Sequence, residues 1–469
     1  VECGGKQSAT PLSNHFQPAN ANPTSNQQQH SKSVTATAPG RKRVLPAFSR
    51  FAEFHHSIIS LFYGLPRPNP LVSPHIFMKT VSVLVLSAWL IFTTTAIAGT
   101  PLNVASVDRD RILAAADKAL TQPPITITKF RAKLSNGGPH DFYSNGDYWW
   151  PNTNTPDGLP YVQRDGQSDP NNFTKHRDCF RQLHDAVAAL GAAYKITGDD
   201  RYATKAADLL RVFFLDPATR MNPNLEYAQA VPGVSPGRSF GIIDSLRLIE
   251  IPPAVEVMEK SPAFSPDILF ALKQWFSDYI QWMRISKNGD EEANASNNHA
   301  VAYWLQIAVF AQFTGSARDL ADCRKHFKTV FVAKQMAADG SFPRELGRTK
   351  PYGYSIFQLD NMATLCQVLS TPDDNLWQFQ LPDGRGMRKA MEFMYPYLAD
   401  KGKWLADGRH QDIQAWNGWP ARQPSLLFAG LAYDEQKYLD LWLKLSADPT
   451  NSEVRRNIAI MEPILWIKP

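Results

Sequence analysis

Residues 291–304 read EEANASNNHAVAYW, and within them Asn297, Asn298 and His299 stand at the start of an apolar helical run. Ser296 suits the N-cap, which puts all three in the first helical turn, where backbone N–H groups lack partners and the helix dipole is positive. That is a carboxylate-binding position: amide side chains can donate to a carboxylate, and the dipole favours neutral imidazole, the form that accepts a proton. Forty-nine residues beyond His299, the stretch ELGRTKPYGYS supplies Arg348 and, six further, Tyr354. Arginine offers a planar fork to a carboxylate, and its charge lowers the pKa of a nearby phenol towards proton exchange. Glu345 is placed to orient Arg348 by ion pairing, and Tyr352 is a near-equivalent phenol that the sequence does not separate from Tyr354. Neutralising a carboxylate, removing the proton on the carbon beside it and protonating a leaving oxygen are the tasks of β-elimination from a 4-linked uronic acid chain. That reaction calls for no water nucleophile, no cofactor and no obligatory metal.

The elements that must bring these residues together are helical. From about residue 107 the apolar period is that of helices, and they come in pairs: residues 176–216 around the turn Thr197-Gly198-Asp199-Asp200, then 240–258 with 266–286, 298–314 with 317–337, 354–370 with 385–399, and 422–431 with 434–446. Consecutive helix hairpins predict an all-α fold, an α/α toroid built as an incomplete barrel of helix pairs. In such a ring every hairpin begins at the same end, so the loops between hairpins share one rim and frame a cleft. Those loops hold further candidates: Tyr148, Trp149 and Trp150 for stacking on sugar faces, one of the two tryptophans being expected in the core, and Arg164, Arg238 and Arg422 for carboxylates of neighbouring sugars. Arg238 has the alternative of pairing with Asp244. His176 and His184 lie eight apart on one helical face, but no third ligand completes a metal site. Cys179, Cys323 and Cys366 have no metal-ligand spacing and read as buried small hydrophobes.

Two other functions suit such a rim. An inverting glycoside hydrolase would draw on Glu226, Asp244, Glu345 and Asp360. A glycan-binding scaffold without catalysis would hold a polyuronate and leave it intact.

The first hundred residues are unlike the rest. Residues 1–77 are rich in Ser, Asn, Gln, Pro and Thr, the composition of a disordered leader outside the mature protein, and MKTVSVLVLSAWLIFTTTAIAGT reads as a secretory signal peptide over 78–98. Residues 99–469 are then a single secreted domain. Its charge excludes a class of partner. The chain has 49 basic and 44 acidic residues, but eight basic and two acidic ones precede residue 99, leaving 41 against 42. A formal charge of −1 gives no footing for nucleic acid or for a membrane surface, so an anionic partner must be held by a local cluster. The sequons at Asn172 and Asn294 are acceptors for glycans in a eukaryotic secretory pathway, and one on Asn294 would crowd the cleft.

The motifs NNH at a helix start, RELGRTKPYGYS after it and GDYWWPNTNTPDGLPYVQRDGQ before it resemble, in that order, the alginate-lyase superfamily of α/α-toroid polysaccharide lyases, most closely polysaccharide lyase family 38. The resemblance runs from about residue 125 to 430. It implies cleavage of alginate, or of a related anionic polysaccharide such as glucuronan, with a 4,5-unsaturated sugar at the new end. It further implies that Asn298 and Arg348 neutralise the C5 carboxylate, with Asn297 beside them, and that Tyr354 protonates the glycosidic oxygen. Tyr354 would also take the C5 proton where that lies on the leaving-group side, and His299 would serve the opposite epimer.

Overall fold

The computed structural model describes residues 102–467, so the leader and the signal peptide lie outside the described residues. Helix α1 (Val104–Leu120) precedes five hairpins. The first is α2 (Lys175–Thr197) with α3 (Asp200–Leu210), which runs on as a π-helix over Arg211–Leu215. The second opens with a 3₁₀-helix, Ser239–Glu250, that continues into α4 (Ile251–Met258) and returns as α5 (Pro266–Ile285). A short α6 (Lys287–Ala293) leads to α7 (Asn298–Thr314), whose partner α8 (Ala317–His326) is extended by a π-helix, Phe327–Gln335. After the single turn α9 (Pro343–Leu346) come α10 (Pro351–Leu369) and α11 (Met387–Ala399). After α12 (Lys401–Ala406), α13 (Pro424–Tyr433) pairs with α14 (Gln436–Lys444), and α15 (Ser452–Arg456) follows. Two small ribbons sit among the loops. Strand β1 (Tyr143–Asn145) pairs in parallel with β4 (Tyr227–Ala230), and β2 (Trp149–Trp150) pairs antiparallel with β3 (Val162–Gln163).

The hairpin turns follow from local chemistry. Three first helices end on a left-handed residue, Gly198 at φ 69°, Gly315 at φ 78° and Asp434 at φ 54°. In the first two cases the next residue, Asp199 or Ser316, caps the returning helix with its side chain.

The two layers differ in burial, as an α/α toroid requires. The first helices pack on one another in order: α2 on the second hairpin's opening helix, that helix on α7, α7 on α10, and α10 on α13. Surrounded on all sides, α10 is buried along nearly its whole length, and α7 likewise. The returning helices show one buried face; α8 buries only Cys323. Cys179, Cys323 and Cys366 are free and buried, as expected.

Candidate active site

The shared rim forms a cleft of about 820 Å³. The loop ahead of α2 contributes Asp147, Tyr148, Trp149 and Asp165, and the first turn of α2 contributes Arg177. Gln229, Arg238 and Phe240 come from the approach to the second hairpin, Asn297, Asn298 and His299 from α7, and Arg348 and Tyr354 from α10. Glu453 and Arg456 reach in from α15.

At α7 the cap is Asn297 rather than Ser296: its side chain accepts from the His299 N–H at 3.3 Å, so Asn298 is the first helical residue. His299 Nδ1 is 2.6 Å from Oε1 of Glu292, which is buried at the end of α6. With Nδ1–H donated to that carboxylate, the imidazole presents Nε2 as its free lone pair. Phe240 meets the ring edge-on at 4.9 Å and fixes its plane. Asn298 is held by Glu345, whose carboxylate accepts both the Asn298 backbone N–H (2.8 Å) and the Nδ2–H (2.6 Å). Burial pushes the Glu345 carboxyl up, and these two bonds oppose the shift.

Glu345 therefore orients Asn298, not Arg348 as the spacing suggested. The partner of Arg348 is Asp165, at 2.9 Å, and Thr349 binds the other oxygen of the same carboxylate at 3.0 Å. The Arg348 guanidinium lies over the Tyr354 ring, 4.5 Å from its centroid.

The phenol of Tyr354 is 2.7 Å from the phenol of Tyr148. Lys350 Nζ (3.0 Å) and Arg456 Nη2 (2.9 Å) both donate to the Tyr148 oxygen. A hydroxyl has two lone pairs and one proton. Two cations fill the lone pairs of Tyr148, so its proton goes to Tyr354, and the proton of Tyr354 is left to point elsewhere. Burial first, and Tyr148 second, push the Tyr354 phenol well above its ordinary range, against the pull of Arg348. The sequence had suggested a phenol lowered by Arg348. Burial wins instead, and Tyr354 stands as a neutral proton donor.

The remaining candidates divide. Trp149 lines the cleft, with the Arg238 guanidinium 5.4 Å from its ring, and Arg238 donates to the Gln229 carbonyl and side chain rather than to Asp244. Asp244 is taken by Arg177 (2.9 Å) and Ser144 (2.6 Å). Four expectations are corrected. Tyr352 is fully buried, donates to the Tyr397 carbonyl at 3.0 Å and packs on Trp404 and Trp416, so of these two tyrosines it is Tyr354 that lines the cleft. Trp150 does not line the cleft, because alternate residues of a strand face opposite ways; its indole donates to the Gln167 carbonyl, and neither tryptophan is core. Arg164 stacks on Trp150 at 4.6 Å and is also outside the cleft. Arg422 binds Asp108 (2.6 Å) and covers Trp442, tying α13 to α1 and α14. His176 and His184 are buried in separate hydrogen-bond sets, His176 with the Phe130 carbonyl and His184 with Glu250 and Asp185. Among the described residues no cluster has the makings of a metal site.

Sequence reasoning missed Glu292, Lys350, Glu453, Arg456 and Asp147. Glu292 stands seven residues before His299 in the same quoted stretch, and a search for a carboxylate to orient the imidazole would have reached it. Lys350 lies inside ELGRTKPYGYS. Nothing local points to Glu453 or Arg456, which come from the far end of the chain.

The alginate lyase family model matches residues 126–404. An alginate lyase from Bacteroides ovatus is similar in structure, with 34% identity and a TM-score of 0.67 over 77% of this chain and 95% of that one. Alginate lyase A1-III from Sphingomonas species A1 matches over 76% of this chain and 95% of its own, at 13% identity and a TM-score of 0.46. No curated protein matches the chain. The extent of the family match and the similarity to the Bacteroides ovatus structure show that this chain belongs to the alginate lyase family, and that it is a polysaccharide lyase.

Proposed function

We propose that the protein is secreted and cleaves 4-linked polyuronates, alginate foremost, by β-elimination. The observation that carries this reading is the convergence in one cleft of an imidazole with a free Nε2, a guanidinium, a buried amide and a neutral phenol whose proton is unclaimed. Arg348 and Asn298 draw charge from the C5 carboxylate of the bound sugar, which acidifies the C5 proton. His299 Nε2 removes that proton when it faces the imidazole. The C5–H electrons become the C4=C5 double bond, the C4–O bond breaks, and Tyr354 gives its proton to the departing oxygen. For the epimer whose C5 proton lies on the leaving-group side, Tyr354 acts from its ionised form, taking the C5 proton and passing that same proton to the departing oxygen; Arg348 over its ring and Arg456 beside Tyr148 favour that form against burial. Arg238, without an ion-pair partner among the described residues, is suited to the carboxylate of a neighbouring sugar, and Trp149 to its apolar face. Within the family, the motif order resembles that of family 38.

The hydrolase alternative lacks a free acid. The carboxylates that line the cleft are each held by a cation: Asp147 and Asp244 by Arg177, Asp165 by Arg348, Asp178 by Arg181, and Glu453 by Lys350. Paired carboxylates do not retain the proton that an inverting acid must deliver. Burial works upward on Asp147, yet Arg177 and Arg456 hold it down to about 2. A panel of purified polymannuronate, polyguluronate and glucuronan, followed by ultraviolet absorbance of the conjugated product, tests the proposal. New reducing ends without that absorbance would mean hydrolysis, and no new ends would mean binding alone.

A further inference from the structure

The segment 451–467 lies beyond the residues matched by the family model, and it runs back across the ring as a strap. Its end is gripped largely by the backbone. The buried Glu250 carboxylate accepts the N–H groups of Met461 (2.8 Å) and Glu462 (3.1 Å) and the Trp466 indole (2.9 Å). Arg247 donates to the Ile458 carbonyl at 2.8 Å, Lys195 to those of Ile464 and Ile467 at 2.8 Å, and Gln367 to that of Trp466 at 2.8 Å. Grips on backbone groups at four points fix the register of the strap, so a residue at its leading end is delivered to one place. That leading end is α15. Arg456 there bonds to cleft groups, Asp147 and the Tyr148 phenol, and to its own neighbour Glu453 at 3.1 Å, while Glu453 pairs with Lys350. A segment serving only to close the ring has no need to place a guanidinium on a phenol oxygen.

We propose that the strap is part of the reaction centre, and that Arg456 is a positioning residue which, with Lys350, occupies both acceptor sites of Tyr148 and so aims the Tyr354 proton into the cleft. The inference rests on the reading of Tyr354 as proton donor. Without Arg456, Tyr148 regains a lone pair and can accept the Tyr354 proton, which is then turned away from the substrate. Removing a cation also makes either phenol harder to ionise. The charged groups that face the pair are Arg348 and Lys350 ahead of α10, Asp165 behind Arg348, Asp147 and Arg177 behind Arg456, and Glu453 between Lys350 and Arg456.

The test compares Arg456→Ala, Arg456→Lys, Tyr354→Phe and the double variant R456A/Y354F, on the full chain with polyguluronate as substrate, whose C5 proton lies opposite the leaving oxygen and leaves Tyr354 only the donor's part. Arg456→Ala is expected to lower kcat at least about tenfold with KM little changed, the scale of a displaced general acid. The limb of the pH–rate profile that belongs to the phenol pair should move to higher pH. Millimolar guanidinium should restore part of the rate, Arg456→Lys should retain part of it, and R456A/Y354F should be no slower than Tyr354→Phe. Thermal melting separates this from a folding defect. A loss of rate that tracks loss of folded protein and resists guanidinium would overturn the inference, as would wild-type kcat and pH profile in Arg456→Ala beside an inactive Tyr354→Phe. Wild-type turnover in Tyr354→Phe would instead overturn the donor reading, and the role of Arg456 with it.

Discussion

Replacing Tyr354 by Phe removes one oxygen and little else. The ring is buried at 8% exposure, with the Arg348 guanidinium 4.5 Å and the Lys350 ammonium 5.2 Å from its centroid, contacts that a phenylalanine ring keeps. The lost hydroxyl leaves the Tyr148 proton without its 2.7 Å acceptor, one hydrogen bond worth about 1 kcal/mol net. In a domain of this size, at about 2.1 cal/mol/K of unfolding entropy per residue, that lowers the melting temperature by only about 1–2 °C. The catalytic cost is larger. A positioned general acid contributes about 10²–10⁴ in rate, or about 3–5 kcal/mol of barrier. Tyr354→Phe should therefore fold, bind polyuronate with affinity close to that of the parent, and release unsaturated product at least a hundredfold more slowly. Initial rates by ultraviolet absorbance, a thermal melt and a direct binding measurement answer the three points. A variant within a few-fold of parental turnover would show that the proton reaches the leaving oxygen from another group, and would refute the reasoning from hydroxyl geometry.

Other perturbations separate groups that act on substrate from groups that hold the frame. His299→Ala should lower turnover at least about tenfold on the epimer that needs the imidazole, and Glu292→Gln should lower it in the same direction by less, since an amide still accepts from Nδ1; rates on polymannuronate and polyguluronate blocks check this. Arg238→Ala should raise KM with kcat nearly unchanged, whereas Arg422→Ala, which frees a nearly buried Asp108, should lower the melting temperature and leave the kinetics alone. Burial pushes the Asp360 carboxyl up to about 7, so the folded state holds a proton that the unfolded chain sheds near 4. Stability from this group is present below about pH 4 and is lost as pH rises towards 7. Asp360→Asn should flatten that fall in melting temperature, since its amide oxygen can still accept the Ser425 N–H.

The fold was legible because helix hairpins write themselves in local periodicity and turn chemistry: Gly198-Asp199 and Gly315-Ser316 mark two returns before any long-range contact is known. The candidate site was legible in its outline, because residues at the starts of consecutive first helices must share a rim. Orientation was not. Whether Tyr352 or Tyr354 faces the cleft depends on where α10 begins and how it is rotated, and the Asp412 carboxylate, binding the N–H groups of Tyr352 and Gly353 at 2.8 Å, helps to fix both. Arg422 sits in a loop whose predecessors feed the cleft, yet Asp108, more than three hundred residues away, draws it elsewhere. Partners separated by that much chain leave no local trace.

Those long-range partners also change the account of how a substrate carboxylate is recognised. The sequence suggested that the positive end of α7 would meet it. In the structure the protein supplies its own carboxylates to the helix starts at the rim: Glu345 to α7, Asp412 to α10 and Asp360 to α13, each accepting first-turn N–H groups. The unpaired N–H groups and the dipole are thereby answered from within. Burial pushes the carboxyls of all three up, Asp412 to about 6, and their backbone donors pull against that shift for each of them. A polyuronate entering the cleft therefore meets side-chain cations, with Arg238 in no ion pair among the described residues and Arg348 sharing its fork with Asp165. Recognition by part-exposed guanidinium groups is weakened by salt more than recognition by buried backbone donors would be. The apparent KM should accordingly rise with ionic strength while kcat, set by the buried phenol and amide, changes little. Steady-state kinetics across a sodium chloride series checks this, and a KM indifferent to salt would return the role to the helix ends.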